Sequence, residues 1–148
     1  MQSENRVKLE FLALSINEAF ARTAVSALLL PLDPTIDELT DIKTAVSEAV
    51  TNCIVHAYPD SAGKILLTAS IYPSARVVIK IRDKGCGIED ISKAMEPLFT
   101  TGDRDIRSGL GFSVMESAMD KIKVRSKPGC GTTVTLEKRI KGGKACAE

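Results

Sequence analysis

Apolar and polar residues alternate from residue 6 to residue 14, with Val7, Leu9, Phe11 and Ala13 on one side and Lys8 and Glu10 on the other. A period of two predicts a strand with one face against a core. Ser15 followed by Glu18 has capping-box spacing and predicts a helix that runs to about Leu30 and stops before Pro31. On that helix Phe20, Ala24, Ala27 and Leu28 are expected to share the inward face, which turns Arg22 toward solvent. A second capping box, Thr35 with Glu38, opens a longer helix whose apolar positions Ile36, Leu39, Ile42, Ala45, Val46, Ala49, Val50 and Cys53 keep a helical period. Residues 64–72 and 76–83 read as strands, and the short Pro73-Ser74-Ala75 link makes them a hairpin. Residues 88–96 are expected to form a short helix, and 97–107 a polar, mobile loop. From Gly109 the spacing of Phe112, Val114, Met115, Ala118 and Met119 predicts a helix ending near Asp120, and 121–126 with 132–138 a final hairpin. The tail from Arg139, with Gly142-Gly143, is expected to fray.

Two motifs placed on these elements carry chemistry. On the second helix Glu48 and Asn52 are four residues apart and share a face, and His56 continues the stripe. Asn is a middling helix former that needs a side-chain partner in a helix interior, and a magnesium ion, which takes oxygen ligands, suits it. His56, the one histidine, is most simply a helix-end residue near the last carbonyls. Directly after the second strand of the hairpin, Asp83-Lys84-Gly85-Cys86-Gly87 offers a fixed acceptor, with glycines that let a ligand approach the backbone. Ser108-Gly109-Leu110-Gly111-Phe112, at an expected loop-to-helix junction, adds bare amides and the positive end of a helix, and Arg107 adds a charged fork for phosphate. Neither a Walker loop nor a complete Rossmann fingerprint is present.

At 148 residues the chain fits one domain, and 44% hydrophobic with 26% charged residues is a globular composition. A net charge of +1 argues against general attraction to nucleic acid or to an anionic membrane. No apolar run reaches membrane-span length, and Met1-Gln2-Ser3-Glu4-Asn5 lacks the character of a signal peptide, so a cytoplasmic location is expected. Cys53, Cys86, Cys130 and Cys146 form no Cys-x-x-Cys pair, which disfavours a zinc site or a disulfide framework. Cys53 reads as a small core residue; Cys86 and Cys130 sit in Gly-flanked turns.

Taken in order, the Glu-x-x-x-Asn helix, the Asp-x-Gly-x-Gly loop, the polar loop, the Gly-x-Gly and the late Gly131-Thr132-Thr133 resemble the GHKL ATPase and kinase superfamily. The segments from Asp33 through Asn52, and Pro97-Leu98-Phe99-Thr100-Thr101 before Arg107-Ser108-Gly109, are similar to the anti-sigma F family of spore-forming bacteria. That resemblance implies a two-layer α/β sandwich over residues 1–139, a mixed β-sheet packed on helices, with a flexible tail at 140–148. It implies a protein serine kinase that uses ATP and Mg2+, binds and inhibits a sporulation sigma factor, and phosphorylates an anti-anti-sigma factor. A cytoplasmic homodimer would go with it.

Carried over to this chain, Glu48 is the catalytic base and Asn52 the magnesium ligand. Asp83 holds the adenine amino group, with Gly85, Gly87 and Thr133 around it. Thr100, Thr101, Arg107, Ser108, Gly109 and Gly111 close over the phosphates, and Arg22 meets protein partners. A stress-response anti-sigma kinase would share this pocket. A histidine-kinase catalytic domain is disfavoured by the absence of a helical hairpin bearing a phosphoacceptor histidine, and a binding module without kinase activity is disfavoured by Glu48.

Overall fold

The computed structural model describes residues 2–58, 63–85 and 106–143, with the backbone alone for 106–110. Its described elements are β1 (Asn5–Leu12), α1 (Ile16–Leu29), α2 (Ile36–Asn52), β2 (Lys64–Tyr72), β3 (Arg76–Asp83), α3 (Ile106–Ala118), β4 (Lys121–Lys127) and β5 (Gly131–Arg139). The strands form one five-stranded sheet in the order β1-β2-β3-β5-β4. The helices cover one face of it, so the fold is the two-layer α/β sandwich.

Strand alternation sends Ile65, Leu67, Ala69 and Ile71 of β2, and Val77, Ile79 and Ile81 of β3, into a core shared with Ala21, Val25 and Leu29 of α1 and Ile42, Val46 and Val50 of α2. Every pairing in the sheet is antiparallel, where a mixed sheet was expected. The crossover through α3 does run β3 and β4 in the same direction. However, β5 inserts between them and pairs antiparallel to both.

The two capping boxes fare differently. Thr35 has extended backbone (φ −68°, ψ 163°), so its hydroxyl accepts from the Glu38 amide at 3.1 Å while Glu38 Oε1 accepts from the Thr35 amide at 2.9 Å. Ser15 has helical backbone (φ −53°, ψ −35°) and makes no side-chain cap, so the expected box does not form and Glu18 instead pairs with Arg22. The inward face of α1 is also rotated from expectation. Ala21, Val25, Ser26 and Leu29 are buried, while Phe20 is 53% exposed and meets Phe11 edge-on at 6.4 Å. Ile36, counted among the apolar positions of α2, is 84% exposed because it opens the helix beyond the edge of the core.

The expected fraying from Arg139 does not hold through residue 143. Ile140 is buried and its amide donates to the Ala75 carbonyl. The Lys141 and Gly142 amides donate to Glu38 at 2.7 and 3.0 Å, and the Gly143 amide donates to the Asp33 carbonyl. Burial works against ionisation of Glu38, but these bonds and those from Thr35 outweigh it and hold the carboxylate below its ordinary value. Glu38, the partner of Thr35 in the capping box of α2, therefore also anchors Lys141 and Gly142. Residues 144–148 lie outside the described residues, as do the helix expected at 88–96 and the loop up to residue 105.

Candidate functional site

α2 carries Glu48 and Asn52 to the Asp83 end of the sheet, and beyond Asn52 the helix widens into a π turn over Cys53–Ala57. Such turns insert an extra residue per turn and recur at functional sites. Because of it, the α-helical spacing that would place His56 on the Glu48–Asn52 stripe does not apply beyond Asn52.

Asn52 is the most unusual polar group in the structure. Both its amide nitrogen and its amide oxygen are buried, and neither has a hydrogen-bond partner among the described residues. Leaving such a group unmade costs about 1–3 kcal/mol. Facing it on α3 is Gly111, where a Cβ would lie 3.0 Å from Asn52 Nδ2 and 3.1 Å from Oδ1. A Cβ there would press on the amide and make it give by a few tenths of an ångström. Glu48, one turn earlier, is half-buried.

Asp83 ends β3 and is buried, 5% exposed. Its Oδ1 accepts from the Gly85 amide at 2.9 Å and from the Thr132 amide at 3.2 Å, and its Oδ2 accepts from the Cys53 thiol at 3.5 Å. Burial raises its ionisation above the ordinary 3.8, and those three bonds pull partly against the rise. A carboxylate raised in the folded state takes up its proton more readily there than in the unfolded chain. Its ionisation therefore subtracts stability as pH climbs from the unfolded value through the raised native one. Burial, and then the neighbouring Asp83 charge, push the Cys53 thiol well above its usual range, so Cys53 stays a neutral donor. Tyr58 braces the same corner, with its hydroxyl accepting from the Lys84 amide at 2.7 Å and donating to the Lys64 carbonyl at 2.9 Å.

One expected residue is misplaced. Thr133 pairs with Arg82 on the open face of the sheet, whereas Thr132 pairs with Asp83 and is buried on the helix side. Successive strand residues point to opposite faces, so the residue beside Asp83 is Thr132 and Thr133 cannot be. Ser126 Oγ lies 2.8 Å from Thr132 Oγ1 and extends this row.

Gly109 and Gly111 also differ from expectation, since the helix expected from Gly109 begins earlier, at Ile106, and places both glycines inside it instead of at its junction with the loop. Arg107, Ser108 and Gly109 lie in its first turn; Gly87, Thr100 and Thr101 lie outside the described residues. The structure thus joins Asn52 to Gly111 directly and to Asp83 through its neighbour Cys53. The reading from sequence missed Thr132, Tyr58 and the Cys53 contact. Strand parity would have exposed Thr132 had the β3–β5 register been known.

Gly131 closes the corner. It has φ +93°, and a Cβ there would run into the Asp83 carbonyl oxygen and come within 2.7 Å of Lys84 Cα. Gly131→Ala is expected to cost on the order of 2 kcal/mol or more, since left-handed backbone and a backbone collision add. A fall of about 5 °C or more in the thermal midpoint checks it; an unchanged midpoint would mean that the turn relaxes freely.

A metal or nucleotide fits these donors. No group of three or more His, Cys, Asp or Glu that could hold a metal occurs among the described residues; the Asn52 oxygen would be available to a cation that takes further oxygens from phosphates and water. A buried carboxylate at a strand end, an amide without a partner among the described residues and a glycine-lined helix start suit a nucleotide, and residues 9–138 match the family described as Histidine kinase-like ATPase domain, which makes this a domain of that class. An Anti-sigma F factor from Caldanaerobacter subterraneus subsp. tengcongensis is 52% identical over 140 residues, spanning 95% of this chain and 97% of that one. Another, from Bacillus subtilis, is 48% identical over 143 residues, spanning 96% and 97%. The chain belongs to the anti-sigma F factor family within the histidine kinase-like ATPases. The fold also matches the RsbU and RsbW domains of a Mycobacterium tuberculosis protein, with a TM-score of 0.67 at 20% identity over 92% of this chain and 32% of that one. No helix among the described residues is long and apolar enough to cross a membrane.

Proposed function

We propose that this protein is a cytoplasmic anti-sigma factor of sporulation. It binds a sigma factor of the F type, holds ATP with Mg2+ between α2, α3 and the Asp83 end of β3, and phosphorylates a serine of an anti-anti-sigma factor. Acting as a homodimer belongs to the same reading. The observation that carries the site is the buried amide of Asn52 opposite Gly111, without a partner among the described residues, a group whose cost is explained by a ligand that satisfies it.

In this reading Asp83, oriented by the Gly85 and Thr132 amides and the Cys53 thiol, accepts from the adenine amino group, and Gly87 borders the base. Asn52 offers its oxygen to magnesium, which when bound neutralises charge on the phosphate oxygens. Arg107, Ser108, Gly109 and Gly111, with Thr100 and Thr101, hold the phosphates in line. Glu48 accepts the proton of the attacking serine hydroxyl. The test is transfer of radiolabelled γ-phosphate from ATP to a purified serine-bearing antagonist. Label on serine supports the reading; ATP binding without transfer leaves a nucleotide-dependent binding module instead.

Arg22 is the residue proposed to meet both protein partners. Its side chain is 42% exposed and pairs with Glu18 at 2.9 Å, one turn away on α1. A pair of this kind contributes little, about 0.3–0.5 kcal/mol, so stability should hardly change on its removal. Arg22→Ala is expected to weaken sigma-factor and antagonist binding roughly tenfold while leaving ATP affinity and the thermal midpoint as they are. Titration of each partner at matched nucleotide concentration checks this, and wild-type affinity for both would remove Arg22 from the interface.

A further inference from the structure

The net charge of +1 conceals a segregation of charge. On the sheet face away from the helices, the strand register lines up Arg82, Thr133 and Arg125 in one row and Lys80, Thr135 and Lys123 in the next. Lys121 continues the β4 column, and Arg6 and Lys8 face the same way from β1. Carboxylates enter this face from only two described strand positions, Glu10 and Glu137, and Glu137 is already paired with Arg76 at 2.9 Å. Lys80, Arg82, Lys123 and Arg125 are exposed and have no ion-pair partner among the described residues. At the Asp83 end a pocket of about 270 Å³ opens between Arg82, Arg125, Lys127 and Thr133.

Lysines on an edge strand commonly serve to prevent edge-to-edge aggregation. That accounts for β4, which is an edge of the described sheet, but not for Lys80 and Arg82 on the central strand β3, where there is no edge to protect. Clustered like charges cost stability by self-repulsion, and a partner of opposite charge offsets that cost.

We propose that the β3-β5-β4 part of this face docks an acidic segment of a protein partner, laid as an added strand along β4 with its carboxylates beside Lys123 and Arg125, while Lys80 and Arg82, two strands further in, add to the positive field that the segment meets. Alternate residues on a strand recur every 6.7 Å or so, and an extended segment with acids at every second position repeats at the same interval. Among the described residues no strand lies on the outer side of β4, and that edge, at Lys121 to Arg125, can hydrogen-bond such a backbone. Nucleic acid fits less well: the sequence pI is 7.6, and the one aromatic ring at a strand position of this face, Tyr72, is covered by Arg76 at 4.3 Å. The proposal stands apart from the kinase reading and uses none of its residues.

The test is fluorescence anisotropy on the full-length protein at about 0.15 M salt, with a labelled peptide of alternating glutamate and valine as probe. Binding is expected for the wild type and is expected to fall roughly tenfold or more in the double variant Lys123→Glu with Arg125→Glu. A smaller fall, roughly twofold, is expected in Lys80→Glu, which lies two strands in from the edge and acts on the segment only through the screened field of the face. A glutamine-for-glutamate peptide should bind the wild type no better than the glutamate peptide binds the double variant. Blocking one edge of the glutamate peptide by N-methylation at alternate residues should weaken it by a similar factor, and no weakening there overturns the added strand. Equal peptide binding by the wild type and both charge variants overturns the face. Tighter binding of a single-stranded or duplex DNA oligonucleotide than of the peptide overturns the choice of occupant.

Discussion

Asn52→Ala is expected to abolish magnesium-dependent ATP binding and, at the same time, to leave the nucleotide-free protein as stable as the wild type or more so. The two effects share one cause. In the structure both polar atoms of the Asn52 amide are buried without a hydrogen-bond partner among the described residues, so the side chain burdens the free protein by about 1–3 kcal/mol. Alanine removes that burden and is the better helix former near the end of α2. A rise of several degrees in the thermal midpoint of the free protein is the expected result. With ATP and Mg2+, the loss of the oxygen that Asn52 is proposed to give the metal should weaken binding by roughly 100-fold, equivalent to about 2.7 kcal/mol. Calorimetric titration of ATP together with thermal unfolding reads both quantities. Unchanged ATP affinity removes Asn52 from the site. A free protein that becomes markedly less stable would show that the amide serves the fold instead.

Glu48→Gln is expected to separate binding from chemistry. Glu48 is half-buried on α2, one turn before Asn52, and the carboxamide keeps its shape and much of its hydrogen-bonding capacity. ATP affinity and sigma-factor binding should therefore persist. What glutamine cannot do is accept a proton, and positioned general bases contribute about 10²–10⁴-fold. Single-turnover transfer of labelled phosphate to the serine-bearing antagonist should fall by that order while the nucleotide titration stays at the wild-type value. Transfer at the wild-type rate would take Glu48 out of catalysis. A loss of ATP binding in parallel would recast it as a ligand-positioning residue.

The charge-segregated sheet face bears on how the family's surface is used. α1 and the open face are separate parts of the molecule, one carrying Arg22 beside Glu18 and the other the rows of Lys80, Arg82, Lys123 and Arg125. Loss of binding at one with retention at the other would show that two partners can be held without competing for one surface.

Local rules alone determined much of this protein. The alternation of β1, the 64–72 and 76–83 hairpin with its Pro73-Ser74-Ala75 link, the Thr35–Glu38 capping box and the final hairpin all follow from side-chain period and short-range hydrogen bonding, and they form as read. The order of the nucleotide motifs and the pairing of Glu48 with Asn52 on one helix belong to the same level. Tertiary structure decided whatever depends on which strand lies beside which. Thr132 and not Thr133 reaches Asp83 because β5 inserts next to β3 in one register, and a shift of one residue would exchange them. The same insertion makes the sheet antiparallel and brings Arg125 into one row with Arg82, so scattered cations become a continuous face. Ser15 loses its cap because its own backbone is helical, and α1 turns Phe20 outward because the helix is rotated to bury Ala21, Val25 and Leu29. Lys141 and Gly142 are pinned by Glu38, more than 100 positions away in sequence, a contact that no local pattern can encode.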